Sequence, residues 1–314
     1  MSQQYKDLHD LELNERLSSA ESPAPDGKPK EFPLPAGSWD CHVHVFEQFP
    51  EFPFAEDRTF TPGEASLASL RAFRKSLGLA HSVLVQASVY GSDNRLLCNV
   101  LEREQGESRG VAVIDPSYSY GRLKEMHALG VRAVRLNLET FGLADPRRAT
   151  MQLSSMAEQV APLGWHIQIY SRAEVLASLA GAMVELPCPV VIDHFGGIDA
   201  AQGLGQFGFL AMLEALGSGN VWLKLSAPSR VSKTAEHGDL EPFVARLTEA
   251  RPDRMIWGSD WPHTGGYSNS ERTPDRIEPF KKIDDNRNAR TLAGWLDAER
   301  RQALFVDNPA KLYA

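Results

Sequence analysis

The sequence predicts a (β/α)8 TIM barrel, an α/β fold in which eight parallel strands are ringed by helices, preceded by a polar extension. Three observations predict it. From Trp39 onward, short apolar, β-branched runs alternate eight times with amphipathic stretches. Most of these runs are nearly continuous in apolar residues, as strands buried on both faces are. Polar residues gather where the runs stop, the end at which barrel sites are built. A doubly wound sheet is the other solution for such alternation. It calls for a Gly-rich phosphate loop near the first strand, and this chain has none there.

Residues 1–37 form the extension. SSAESPAPDGKPKEFPLPAG is rich in Pro, Ser and charge and buries little apolar area. DLHDLELNERL before it is expected to form a short helix. Residues 38–314 form the barrel. Its strands are WDCHVHVF at 39–46, SVLVQAS at 82–88, GVAVID at 110–115, VRAVRLNL at 131–138, HIQIY at 166–170, PVVIDHF at 189–195, VWLKLS at 221–226 and RMIWGSD at 254–260. EASLASLRAFRKSLG, SYGRLKEMHALG, ATMQLSSMAEQVAPLG and AEVLASLAGAMVEL are the intervening helices, and three of them end in the Gly of a helix C-cap. ARTLAGWLDAERRQALFVDNPAKLY reads as two closing helices. The Pro-rich FPEFPF at 49–54 is expected to form a lid loop, with Phe49, Phe52 and Phe54 over the barrel mouth or on its outer wall.

The chain has 314 residues, 42% hydrophobic and 24% charged, ordinary for a soluble globular protein. A net charge of −8 argues against general nucleic-acid binding, which needs a basic face, and still allows a local basic pocket. No apolar run approaches the ~18 residues of a membrane span. Three widely spaced cysteines, Cys41, Cys98 and Cys188, form no CxxC and suggest neither a disulfide framework nor a structural zinc. MSQQYKDLHD has no apolar core of a signal peptide, so a reducing, cytoplasmic location is expected. The sequence neither requires nor excludes a homo-oligomer.

His42 and His44 stand two residues apart in the first strand, so both imidazoles face one side. In isolation, a hydrogen-bonded core pair is the favoured explanation of the two. Other strand ends tilt the balance toward a site. The second carries Gln86 and Ser88, the fourth Arg135 and Asn137, and the fifth His166, Gln168 and Tyr170. The sixth carries Asp193 and His194, the seventh Lys224 and Ser226 with Arg230 beyond, and the eighth Asp260, followed by Trp261-Pro262-His263. Asp260 could alternatively cap a helix, His194 could bond backbone inside the core, and Arg230 could be a solvated loop residue. Asp284-Asp285-Asn286-Arg287-Asn288-Ala289-Arg290 reads as a solvated helix start.

DCHVHVF, VIDHFG, IWGSDWPH and the closing DNPAKLY, with VQASVYGSDN and RGVAVIDP, resemble the amidohydrolase superfamily, in its branch of pyrone dicarboxylate, muconolactone and sugar-lactone hydrolases. The resemblance runs from about residue 38 to the C-terminus. It implies a hydrolase that opens a lactone ring, a small-molecule substrate, and Asp260 as general base for the attacking water. It implies that His42, His44 and His194 polarise the carbonyl. Arg135 would grip a substrate carboxylate, with Ser88, Tyr170, Arg230 and His263 as further binding residues. A zinc-dependent decarboxylase and a lactone isomerase are the alternatives on the same barrel.

The superfamily's fuller metal pattern adds a strand-four Lys or Glu or a strand-five His. Here Arg135 takes the first place, and His166 starts its strand at the wrong end. A dinuclear centre is therefore not expected. No cofactor is expected to be required, and a single zinc on His42, His44, His194 and Asp260 is the alternative. The branch pattern also has a basic residue where this chain has Glu139-Thr140-Phe141-Gly142, Gly-Arg-Pro-Asp where it has Gly196-Gly197-Ile198-Asp199, a Tyr at Phe60 and an Asn at Gly265. With two arginines of the clamp gone, the expected substrate is a carboxylated lactone or pyrone other than the dicarboxylate. Restoring Arg at Gly197 is expected to favour dicarboxylates.

Overall fold

A computed structural model describes residues 32–47, 50–138, 145–266 and 271–314. The expected N-terminal helix, Phe49 and the run Glu139–Gly142 lie outside these residues. The eight runs form one parallel sheet, β1 (Trp39–Val43), β3 (His81–Val85), β4 (Ser108–Ala112), β5 (Val131–Asn137), β6 (His166–Tyr170), β7 (Val190–Ile192), β8 (Val221–Ser226) and β9 (Met255–Gly258), paired in chain order. The seam between β9 and β1 is bridged at Val43 and Trp261. There His44 N–H donates to the Trp261 carbonyl at 2.8 Å and Asp260 N–H to the His42 carbonyl at 2.9 Å. Gly258 makes this approach possible, because a Cβ there would lie 2.8 Å from the His42 Cβ. A barrel of eight parallel strands is thus the observed architecture, as expected.

Helices cover the strands. α1 (Leu67–Leu77) is capped at its start by Ser66 and stopped by Gly78 at φ 72°. α4 (Pro146–Val160) starts three residues before the stretch read from sequence, because Asp145 caps it and Pro146 occupies its first turn. α5 (Ala173–Glu185) follows β6 directly. Near the mouth, two short strands the sequence reading did not contain, β2 (Thr61–Pro62) and β10 (Ile277–Glu278), pair with one another. Two residues are too few to leave a periodic signal.

Side-chain parity along the strands sorts the interior into layers. Trp39, Cys41, Val83, Val85, Val111, Ala133, Val191, Trp222 and Ile256 make an apolar group closed by Tyr313. Alternate residues such as Leu84, Val134, Ile169 and Leu223 pack outward under the helices. Polar side chains follow at the upper end of the strands. β1 breaks the simple alternation, since its register against β3 shifts between Asp40 and Val43. Trp39 and Cys41 belong to the inner group but Val43 to the outer one. The shift re-aims His42 and His44 inward, a use of bulges common beside active sites.

Candidate active site

Four predicted residues converge at the strand ends. Asp260 Oδ1 lies 3.6 Å from His42 Nε2, 3.6 Å from His44 Nε2 and 3.8 Å from His194 Nε2. All four are buried. Asp260 and His194 hold left-handed backbone, at φ 74° and 51°. Such conformations cost about 1–3 kcal/mol each and persist where the surroundings enforce them. Here the β9–β1 seam holds Asp260, and the Ser226 hydroxyl accepts the His194 N–H at 3.2 Å.

Each imidazole is anchored through Nδ1. His44 Nδ1 lies 2.8 Å from the Val85 carbonyl oxygen. A carbonyl only accepts, so Nδ1 carries the proton and a neutral His44 presents a lone pair at Nε2. His194 Nδ1 lies 2.9 Å from the Ser226 hydroxyl. That hydroxyl also accepts from the His194 backbone; with a second lone pair and a proton of its own it can accept from Nδ1–H or donate to Nδ1, so the contact fixes the orientation of the ring. His42 Nδ1 sits between Asp193 Oδ1 at 3.3 Å and Lys224 Nζ at 3.5 Å, and its Nε2 has no hydrogen-bond partner among the described residues. Burial holds the His42 imidazole well below its ordinary pKa and takes that of His194 down to about 4.

Arg230 determines the state of Asp260. Its Nε and Nη2 reach Asp260 Oδ2 at 2.9 and 2.7 Å. Burial pushes the carboxyl up, but Arg230 and the neighbouring imidazoles outweigh it and hold Asp260 well below the usual carboxylate range. The carboxylate is thus ionised. One oxygen is engaged by the guanidinium, and Oδ1 is left to face the imidazoles.

Below lies a buried polar layer that sequence reasoning missed as a unit. Lys224, fully buried, reaches Gln168 Oε1 at 2.6 Å and Asp193 Oδ1 at 3.3 Å. Gln168 Nε2 donates to Asp193 Oδ2 at 2.8 Å. Strand parity alone marks these as inward-facing, but their mutual contact depends on barrel closure.

Above lies a cavity of about 70 Å³, open to solvent, lined by His44, His194, Asp260, Arg135, Ser88, Tyr170 and Arg230 together with Phe60, Thr264 and Arg272. Four of the five expected binding residues therefore face one space. His263 does not line it. Its Nε2 is bound to buried Asp285 Oδ2 at 2.7 Å, so the stretch read as a solvated helix start supplies a buried partner. Asp284 does cap that helix. Phe54 packs on Tyr90 with ring centroids 5.0 Å apart, and neither it nor Phe52 lines the cavity. Gly197 cannot carry the arginine considered above. It sits at φ 63°, and a Cβ would meet the Ser171 carbonyl oxygen at 2.4 Å.

The donor set fits one divalent cation. The Nε2 lone pair of His44 and a carboxylate oxygen face the same space, an arrangement a positive charge relieves. Their separations are a few tenths of an ångström wider than the ~3.4 Å edge of a zinc tetrahedron. Outer partners at each Nδ1 are what ligating histidines require. His42, His44 and Asp260 form one possible metal-holding group, and His42, Asp193 and His194 another.

A buried carboxylate beside three imidazoles at the C-terminal end of a parallel barrel is an arrangement suited to acid–base chemistry on a bound substrate. The chain belongs to the amidohydrolase family, whose model matches residues 39–314. It is 38% identical over 297 residues to a 2-pyrone-4,6-dicarboxylate hydrolase of Comamonas testosteroni, covering 90% of this chain and 92% of that one. It is 31% identical over 301 residues to a 4-sulfomuconolactone hydrolase of Rhizobium radiobacter, covering 95% and 96%. A crystal structure from Pseudomonas putida, described as a candidate 2-pyrone-4,6-dicarboxylic acid hydrolase, superposes with a TM-score of 0.76 at 32% identity, covering 89% of this chain and 98% of that one. No described helix is long and apolar enough to cross a membrane.

Proposed function

We propose that this protein is a lactonase that opens a carboxylated lactone by attack of water on the ring carbonyl, with Asp260 as general base. The observation that carries the reading is Asp260 Oδ1, ionised and facing His42, His44 and His194 at 3.6–3.8 Å on the floor of the cavity. The named relatives, both lactone hydrolases, support the reaction class.

Asp260 Oδ1 takes a proton from water as the oxygen bonds to the carbonyl carbon. The carbonyl oxygen becomes an oxyanion. An imidazole carrying its proton on Nε2 donates to that oxygen, and a fixed donor of this kind is worth about 2.7–4 kcal/mol. His44, with its proton on Nδ1 against the Val85 carbonyl, does not donate from Nε2 while neutral, so donation to the oxyanion falls to His42 or His194 in the tautomer protonated at Nε2. Collapse breaks the bond to the ring oxygen, which receives the proton held by Asp260. One water is consumed and a ring-opened acid is formed. Arg135 orients the substrate carboxylate from the opposite wall. It lies buried, its Nε without a hydrogen-bond partner and 3.9 Å from Asp193 Oδ2.

The absence of a strand-four bridging ligand argues against two metals and leaves a mononuclear site open. His42, His44, His194 and Asp260 would hold a single zinc, which would supply a Lewis acid for the carbonyl and lower the pKa of bound water. Two measurements test the proposal. A panel of carboxylated pyrones, muconolactones and sugar lactones is screened for one proton released per turnover without carbon dioxide. Gas release would instead identify a decarboxylase. Metal analysis before and after chelation, with activity measured on both samples, tests the cofactor. Full activity without metal supports the reading that none is required, and loss reversed by zinc overturns it.

A further inference from the structure

The turn that carries Asp260 is held from outside the cavity. Asp260 and His263 both take left-handed backbone, at φ 74° and 71°, and they bracket the turn Asp260-Trp261-Pro262-His263. Neither is glycine, so each conformation is costly and persists only where contacts enforce it. The turn closes with the His263 N–H on the Asp260 carbonyl at 2.9 Å. Trp261 is held by its N–H on Ser259 Oγ at 2.9 Å and by its ring, which stacks on Phe73 with centroids 5.5 Å apart. His263 is held by its carbonyl, which accepts the Lys281 N–H at 2.9 Å, and by Nε2, which lies 2.7 Å from Asp285 Oδ2. His263 and Asp285 are both buried.

Close packing does not fix the strand end before the turn. Gly258 and Ser259, the residues preceding Asp260, line a second cavity of about 30 Å³ together with His237, Asp285 and Asn288. Where side chains do not interdigitate, hydrogen bonds have to set the geometry. Asp285 is a firm point for such a bond. It opens the helix Asp285–Gly294, whose start Asp284 caps, and that helix buries Ala289, Leu292 and Ala293 in the main core.

We infer that the His263–Asp285 pair is a brace that fixes the backbone at Asp260 and so aims Oδ1 at the imidazoles and the attacking water. The inference rests on the reading of Asp260 as general base and deepens it. Neither His263 nor Asp285 lines the cavity above Asp260, so both are positioning residues and not substrate contacts. This replaces the expectation that His263 binds substrate. Arg230 holds Asp260 Oδ2 from the side-chain end. Loss of the brace therefore misaims the carboxylate without releasing it.

The test labels the full-length protein with 5-fluorotryptophan and follows Trp261 by fluorine NMR, its resonance assigned by its disappearance in Trp261→Phe. In Asp285→Ala the Trp261 resonance should shift or broaden. Those of Trp39, Trp165 and Trp222, at the opposite end of the strands, should stay in place. Asp285→Asn keeps an acceptor for Nε2 and should restore the original position. Kinetics follow on the lactone of the panel above that is opened fastest. There Asp285→Ala should lower kcat by roughly 10- to 100-fold with KM within about threefold, since a displaced base costs rate and not binding. His263→Ala, alone or combined with Asp285→Ala, should lose about the same factor, because the two residues act through one contact. Should Asp285→Ala not fold, His263→Ala serves in its place with the same expected results. An unmoved Trp261 resonance overturns the brace, as does a kcat loss that multiplies in the double variant. If the resonance moves but the unsubstituted protein opens no lactone of the panel, the brace stands and the lactonase reading falls.

Discussion

Replacing Asp260 by Asn separates chemistry from binding in one variant. The amide keeps the size of the side chain and an acceptor for Arg230, but it cannot take a proton from water. Removing a positioned general base typically costs about 10²–10⁴ in rate, which is about 2.7–5.5 kcal/mol of barrier. The ground state responds in the other direction. Arg230 now holds a carboxylate through contacts of 2.9 and 2.7 Å. Charge-assisted bonds are worth about 1.5–3 kcal/mol each, discounted toward the lower end because Arg230 is 26% exposed. In Asp260→Asn that positive charge becomes available to an anionic ligand lying in the same cavity. The expected result is a kcat lower by at least 100-fold with ligand affinity equal or tighter. Proton release in a pH-stat gives kcat, and titration calorimetry with isophthalate gives affinity. A kcat within tenfold of the original, or a loss of affinity matching the loss of rate, would refute the assignment of Asp260 Oδ1 as the base.

Three further outcomes follow from the geometry. Burial raises the Asp40 carboxyl to about 7 while its Oδ1 accepts the backbone N–H groups of His42 and Ser259 at 3.1 and 2.9 Å. With the folded pKa above the unfolded one, the folded state binds the extra proton, so stability falls as pH rises from about 4 to about 7, with a ceiling near ~4 kcal/mol. Asp40→Asn keeps the acceptor and should flatten that part of the Tm-against-pH curve; an unchanged slope counts against it. Lys224→Met strands Asp193 in the polar layer and should cost about 3–5 kcal/mol in urea unfolding. Adding Asp193→Asn should recover part of this, whereas strictly additive losses would show that the two are not coupled. Gly197→Ala should lower Tm, because φ 63° and a 2.4 Å approach to the Ser171 carbonyl leave no room for a Cβ; a Tm equal to that of the unsubstituted protein would contradict this.

The barrel is legible in the sequence because strands buried on both faces must be apolar at almost every position, as in Val190–Ile192 and Met255–Gly258. Helix ends are legible where one residue does the capping, as with Gly78. Boundaries fail where polar residues are held by tertiary contacts. Ser108 opens β4 two residues before the apolar run because its hydroxyl donates to Glu104 at 2.8 Å. The site is legible at His42, His44, His194 and Asp260, whose strand-end placement follows from local pattern alone. It is illegible at Arg272 and the His263–Asp285 pair. Their significance depends on what lies beside them in space, and no local periodicity records that. His263 shows the converse. A histidine adjacent to a motif reads as a ligand contact or a loop cap, and in the structure a carboxylate 22 residues away is its partner.

The hydrogen bonds that close the barrel run through the residues proposed to do the chemistry. The His42 carbonyl meets the Asp260 N–H and the Trp261 carbonyl meets the His44 N–H across the β9–β1 seam. Base and imidazoles therefore come within reach of each other only when the last strand docks on the first. Turnover is in effect a gauge of that docking. Partial opening of the seam under mild denaturant would silence the enzyme before the helices melt, and an incomplete barrel emerging during synthesis carries its histidines without a base to work with.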